Sequence, residues 1–439
     1  MTDAELESNL KIHRYSIELL VIPEDGTQED TINLSQYINQ LNIFCDFDNN
    51  IMPYYRFSLK TSEIIARKLR EKWKESRVFV TLRTLNVVKK ENEIKEEFTN
   101  EFFMEKAEFK ILLFDNAGGS DMSSALDDRT VQANSPLVDV VLETVPLVSL
   151  KLSRAVNSTC YKDVFLSDII IALSLSNHPK GTPYRLIACP PDNTKKYESI
   201  ILPALNYAQS LRYLDDVFGL YEGNLIIFLD FARGFILSSA KTTPIPDKKD
   251  MFKNVILKVD NKADKDLGNM SGSAFNKETG TALVRSASRV SVAIQGPATT
   301  ELLGDHLRLI NTSLKDHAET DCGDLLADVK SRIKKLSSDL ERKEKVFWQK
   351  FDNPLIAKRM KILSREMYSP ISVSIDSFDL RLINPSLQWR VEQTDINLQA
   401  YDGFWRVGVM EVLLNRENQE SDAMRVAGEL RLTPVSTGK

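Results

Sequence analysis

The sequence predicts a multi-domain protein of mixed α+β fold. Three observations carry that reading. The chain has 439 residues, more than one ordinary hydrophobic core organises, which fits two to four domains. Its hydrophobic (42%) and charged (27%) fractions are those of an ordinary globular protein, so most of it can fold around buried cores. Strand patterns recur early and late in the chain, with stretches of helical spacing among them.

The first region, 1–142, opens with Ile12 to Val21 as a strand ended by Pro23 to Gly26. Ile43 to Phe47 is a short apolar segment closed by Asp48, Asn49 and Asn50. Thr61 or Ser62 can cap a helix on which Ile64, Ile65, Leu69 and Trp73 recur near helical spacing, with Arg67, Lys68, Arg70, Lys72 and Lys74 around them. Val78 to Leu85 alternates as a half-buried strand. Phe109 to Phe114 is a further strand, followed by a turn at Asp115 to Gly119. Ser120 to Ser135 reads as an exposed loop, because it has little apolar area to offset the entropy of ordering.

The second region, 143–243, places helices at Val164 to Leu175 and Pro203 to Tyr213. Leu225 to Phe231 is apolar on both phases and reads as a buried strand, with Gly234 to Leu237 as its companion. The third, 244–320, has strand patterns at Val255 to Val259 and Arg289 to Ile294, separated by the Gly/Ser/Asn-rich stretch Gly268 to Gly280. A segment at 321–362 looks helical from Leu325 to Phe347. Val329, Ile333, Leu336 and Leu340 there have the spacing of a coiled-coil seam, although an ordinary packed helix or a charged connector fits too. The last region, 363–439, returns to strands at Ile371 to Ile375, Leu387 to Val391, Phe404 to Leu413 and Met424 to Leu432. A strand from each end of the chain could share one barrel, but spacing does not set that pairing.

Chemistry is sparse. Cys45, Cys160, Cys189 and Cys322 are widely spaced and read as free, mostly buried thiols. His13, His178, His306 and His317 fall in no metal-ligand motif and read as surface or turn histidines. Asp215 and Asp216 are consecutive, so their side chains diverge, and they read as caps of backbone N–H groups. Asp376 and Asp379 flank Phe378 and read as polar rim contacts, and Ser271 and Ser273 as members of a mobile loop. No nucleophile elbow, phosphate loop or dinucleotide fingerprint occurs. The expectation is a non-enzymatic chain with no catalytic, cofactor-binding or metal-binding residues and no cofactor. A net charge of -5 gives no basis for wrapping nucleic acid. The acidic opening MTDAELESNLK is unlike a signal peptide, and no apolar run is long enough to cross a bilayer, so stable membrane insertion is not expected.

One segment is more specific. Tyr207 to Leu237, YAQSLRYLDDVFGLYEGNLIIFLDFARGFIL, resembles the middle region of the central hub proteins of contractile phage tails. There a short helix carries an LDDVYG-like phrase, here Leu214, Asp215, Asp216, Val217, Phe218 and Gly219. A buried FxDF strand follows, here Phe228 to Phe231. Val373 to Pro385, Tyr401 to Val409 and Ile43 to Lys60 resemble other barrel segments of the same family. The resemblance implies β-barrel-like domains with an inserted helix-containing middle domain. Its second barrel-like region would be 244–320, with 363–439 supplying strands that complete a barrel.

The resemblance also implies a homotrimer on the tail axis of a virion baseplate, made in the bacterial host cytoplasm. Each subunit would carry two similar barrel-like domains, so three subunits would match a six-fold tube. A three-fold central spike and wedge proteins would lie on the other side. A wedge or tube-initiator protein, a tail-associated cell-wall hydrolase, an injection-system hub and an unrelated scaffold are the alternatives. Tyr213, Phe218, Phe228 and Phe231 are expected to hold the middle domain, and Trp389 and Trp405 the last barrel. The helix bearing Leu69 and Trp73 is expected to pack on a barrel.

Overall fold

The computed structural model describes residues 12–23, 31–47, 53–90, 93–116, 137–177, 187–188, 190–221, 225–230, 234–239, 254–259, 272–276, 278–286, 290–292, 298–303, 306–311, 345–350, 371–385, 387–393, 403–416 and 422–434. The fold is mixed α+β, dominated by strands, with a helical insertion between them.

β1 (Arg14–Pro23) alternates strictly, with Tyr15, Ile17, Leu19 and Val21 inside, which is the period of a strand covered on one face. β2 (Ile32–Asn33), β3 (Ile38–Asp46) and β4 (Tyr54–Ser62) follow. Helix α1 (Glu63–Lys72) buries Ala66 and Leu69. Ile64 is exposed, contrary to the stripe read from sequence, because five residues at about 100° each turn it well away from Leu69. Ile65 and Trp73 pack at the margin of the core. β5 (Ser76–Lys90), the long β6 (Glu93–Asn116) and β7 (Leu137–Pro146) complete the N-terminal strands.

The insertion begins with α2 (Leu147–Arg154), β8 (Val156–Phe165), α3 (Leu166–Asn177), β9 (Ile187–Ala188) and β10 (Lys196–Asn206). Helix α4 (Tyr207–Phe218) starts four residues later than Pro203, since 203–206 finish β10. Its start is fixed by a capping box. The Asn206 side chain accepts from the Gln209 backbone N–H at 2.9 Å, and the Gln209 side chain accepts from the Asn206 N–H at 3.2 Å. β8 and β10 pair with each other. β9 joins β11 (Leu225–Asp230) and β12 (Gly234–Ser239) in a second small sheet. Leu166, Ile169, Ile170 and Leu173 of α3 meet Tyr207, Leu211 and Leu214 of α4 in a core of their own.

β13 (Asn254–Val259), β14 (Gly272–Asn276), β15 (Thr281–Ser286) and β16 (Val290–Val292) come next. β14 lies within the stretch read as a loop. Its small residues Gly272, Ser273 and Ala274 are buried there. β17 (Ala298–Leu303), β18 (His306–Asn311) and β19 (Lys345–Lys350) form a separate three-stranded sheet. Residues 345–347 are therefore strand where helix was expected. The rest of that run, with Val329, Ile333, Leu336 and Leu340, lies outside the described residues, as does the 120–135 loop. β20 (Ile371–Asp376), β21 (Gln388–Gln393), β22 (Gly403–Arg416) and β23 (Met424–Pro434) end the fold.

Among the described residues the main sheet has fifteen strands. Starting at β22, pairing runs through β3, β4, β7, β6, β5, β1 and β23, and β23 pairs back to β22. This is a ring of eight strands joining both ends of the chain, a pairing that spacing left open. It is not a closed barrel of even ladders, because β1 and β23 share only Arg14↔Arg425 and Tyr15↔Met424.

The same β22 and β23 also seed a second group. β22 pairs β21 at Trp389↔Trp405, and β21 leads to β13, β15 and β14. β23 pairs β20 at 427–432, and β20 leads to β16. Two groups of eight strands thus share two strands. The edges of β22 and β23 that face away from each other both fork, serving one group along part of their length and the other along the rest. Near the β22 fork the register shifts between Val407 and Val409, and residues 405–408 are all buried. A bulge there lets the strand turn from one group to the other.

Candidate functional site

The described residues hold two polar centres. The first builds the turn after α4. The Asp215 carboxylate is buried and accepts the Leu220 N–H at 3.0 Å and the Tyr221 N–H at 3.4 Å. Gly219 adopts φ 68°, which an L side chain rarely tolerates. The Asn193 amide lies within 2.9 Å of the Phe218 and Gly219 carbonyls and the Tyr197 hydroxyl. Tyr213 and Tyr197 both meet Phe218 edge-on. Asp216 points outward and is exposed. The phrase LDDVFG is therefore a helix-ending turn sealed by a buried carboxylate. Phe228 is buried and its ring meets Phe47 of the first strand group, while Phe231 lies outside the described residues.

The second centre unites residues far apart in sequence. Asp379 is 1% exposed. Its carboxylate accepts the Tyr15 hydroxyl at 3.2 Å, the Arg381 backbone N–H at 3.0 Å, and Arg381 Nε and Nη2 at 3.1 and 2.7 Å. The Leu380 N–H donates to the Tyr15 hydroxyl oxygen at 2.9 Å. His13 Nε2 lies 2.6 Å from Ser273 Oγ and 3.8 Å from Asp379 Oδ2, and the His13 N–H donates to Ser377 Oγ at 2.8 Å. Burial opposes ionisation of Asp379. The charges of His13 and Arg381 and the hydrogen bonds from Arg381 overcome it and hold the carboxyl at about 2. Burial, reinforced by the Asp379 charge, pushes the Tyr15 phenol well above its ordinary range.

Three sequence readings change here. Asp379 is buried and is no rim residue, although Asp376 is exposed. His13 is buried at the start of β1, not on a surface or turn. Ser273 is a buried strand residue, while Ser271 lies outside the described residues. No local pattern could have found this centre, since its members are 260 and 364 residues apart. Ser, His and Asp in contact invite comparison with a nucleophilic relay. In a relay the carboxylate holds Nδ1 while Nε2 faces the hydroxyl. Here the hydroxyl and the carboxylate are both on the Nε2 side. What the arrangement does is tie β1, β14 and the turn after β20 together.

Trp389 is fully buried and Trp405 nearly so, cross-strand neighbours in the second group. Among the described residues no cluster of three or more His, Cys, Asp or Glu could hold a metal. No helix among them is long and apolar enough to cross a membrane. The Cys45 thiol is buried and pushed up to about 12, whereas Cys160 is exposed. Cys189, Cys322, His178 and His317 lie outside the described residues. Apolar side chains reach the surface of the insertion: Ile171 and Leu175 on α3, Val156 on β8 and Ile201 on β10.

No curated protein matches the chain. Among solved structures, it is similar to the tail protein from Neisseria meningitidis MC58, at 11% identity and TM-score 0.48 over 95% of this chain and 96% of that one. It is also similar to the prophage MuSo2 43 kDa tail protein from Shewanella oneidensis, at 6% identity and TM-score 0.44 over 94% and 97%. The Francisella PdpA–VgrG complex matches at 8% identity and TM-score 0.48, over 98% of this chain and 53% of that one. The model of one protein family matches residues 6–430, nearly the whole length, so this chain belongs to the Bacteriophage PBS1 gene 109 protein family.

Proposed function

We propose that the chain is the central hub of a contractile phage-tail baseplate, a homotrimer that links a six-fold tail tube to a three-fold central spike. Membership of a phage protein family and the hub-like segment at 207–237 support this reading. The observation that carries it is the pair of eight-strand groups built on shared β22 and β23. A trimer of a chain with two such groups offers six strand groups around one axis, which reconciles three-fold and six-fold neighbours without a second gene product. Binding is then the whole function, and no side chain has to carry a reaction. The apolar side chains exposed on α3 and the β8–β10 ribbon suit surfaces covered in an assembly. Partners in this reading are a tube or tube-initiator protein, the spike and the wedges. Sequence-specific contact with nucleic acid plays no part.

The deciding experiment is cryo-electron microscopy of the assembled particle. Three copies on the tail axis between tube and spike are expected. Six copies around the axis, or a position out on the wedges, would replace the hub reading.

A further inference from the structure

Backbone pairing leaves the second strand group open. Its path ends at β14 on one side and β16 on the other, and among the described residues no ladder joins them. β14 is held by backbone pairing to β15 through five residue pairs, Gly272↔Arg285 to Asn276↔Thr281. Its apolar anchorage is slight. Ala274 shares a small satellite cluster with Leu283 and Ile256, and Phe275 is only partly buried against the main core. Yet Ser273, next to Ala274, is 6% exposed and hydrogen-bonded to His13, itself 7% exposed.

The receiving side is built in advance. Arg381 and Tyr15 fix the Asp379 carboxylate, and the Ser377 hydroxyl fixes the His13 backbone. Ser377 does so at φ 62°, a left-handed conformation that costs a side-chain-bearing residue stability. The Phe378 N–H donates to the Val426 carbonyl of β23 at 3.0 Å, so this receiving turn is anchored at the fork where β23 passes from β1 to β20. β15 is held from both sides, by β14 and through six residue pairs to β13, and its Ala282 and Val284 lie in the main core. The weakly anchored element facing the rigid polar socket across the gap in the sheet is therefore the edge strand β14 alone.

We propose that Ser273, His13 and Asp379 form a latch that closes the edge strand β14 onto the fork, and that β14 is the element that opens, parting from β15, when the latch is released. The device is conformational: it sets whether the second strand group is closed or splayed while the ring of the first group stays intact.

Native-state hydrogen exchange on the full chain tests it. In the unaltered protein, residues 272–276 should exchange through an opening with a much shallower urea dependence than β22 and β23, which reports a local event. Ser273→Ala should speed exchange there by about five- to tenfold, the equilibrium factor for one buried hydrogen bond, and leave β3 and β4 unchanged. His13→Gln should act on the same segment. Exchange of residues 272–276 with the same urea dependence as β22 in the unaltered protein would overturn the latch, even if both variants failed to fold. So would acceleration spread evenly over all strands in Ser273→Ala.

Discussion

Replacing Asp379 by Asn keeps the shape of the side chain and removes its charge. The variant's carbonyl oxygen can still accept the Tyr15 hydroxyl and the Arg381 backbone N–H, so the packing of the turn survives. What goes is the attraction of Arg381 and His13 for a buried anion. In the folded chain this carboxyl releases its proton at about 2, against the usual 3.8. That difference corresponds to about 2 kcal/mol of stability at pH 7. Arg381 is 45% exposed and regains water when released, so the penalty stays near this figure and below that of a fully buried broken pair. Between the two values the unfolded chain binds more protons than the folded one. Stability from this group therefore rises with pH through that window, is complete above the unfolded value, and is lost as pH falls towards about 2. Urea unfolding of the native protein and of Asp379→Asn, compared from about pH 7 down to the acid limit of folding, measures it. The gap between them should be about 2 kcal/mol at neutral pH and should shrink below about pH 4. A gap under about 0.5 kcal/mol at pH 7, or one that holds constant into acid, would refute the electrostatic account of the socket.

The other predictions concern packing and access. Trp405→Ala should cost about 3–5 kcal/mol in unfolding free energy, because the indole is buried beside Trp389, and a near-zero change would remove it from the core. A Cβ on Gly428 would stand 2.6 Å from Phe378 Cδ2, and that ring is fully buried, so Gly428→Ala should cost about 1–3 kcal/mol. Adding Phe378→Leu should recover part of the loss in the same urea titration. Under native conditions a maleimide should label Cys160 and spare Cys45 until urea unfolds the chain, as peptide mass spectrometry can show.

Much of the fold is legible in the sequence where one face of an element decides its residues. β1, β5, β20 and β23 alternate, and α3 and α4 carry runs that bury Ile169, Ile170, Leu211 and Leu214. The reading fails where residues are chosen by something other than one covered face. β14 has the composition of a loop, yet it is a buried strand held by backbone pairing to β15, which composition does not report. β8 and β10 form a ribbon exposed along most of both strands, so no clean alternation marks them. Asn206 and Gln209, three residues apart as a capping box requires, mark the start of α4 four residues after Pro203. The polar centre was illegible for a different reason. His13, Ser273 and Asp379 each look ordinary in their own stretch, and only strand pairing across the whole chain brings them together.

That pairing places an unusual burden on β22 and β23. Val407, Met410, Val412 and Leu414 of β22, and Leu430 and Leu432 of β23, have no exposed area, and each strand serves both groups. Neither group can complete its pairing before residues 403–434 exist, since β3 needs β22 and β20 needs β23. The N-terminal strands pair with one another, but closing their ring waits for contacts nearly the length of the chain away, such as Asn42↔Leu413, which are slow to form because loop closure precedes their reward. The arrangement has a mechanical counterpart. Two groups joined by a flexible linker could rotate independently, whereas two groups sharing hydrogen-bonded strands cannot move apart without breaking both ladders. A chain that must present paired surfaces in fixed register to its neighbours is better served by the shared strands, and their late position in the sequence is what that rigidity costs in folding.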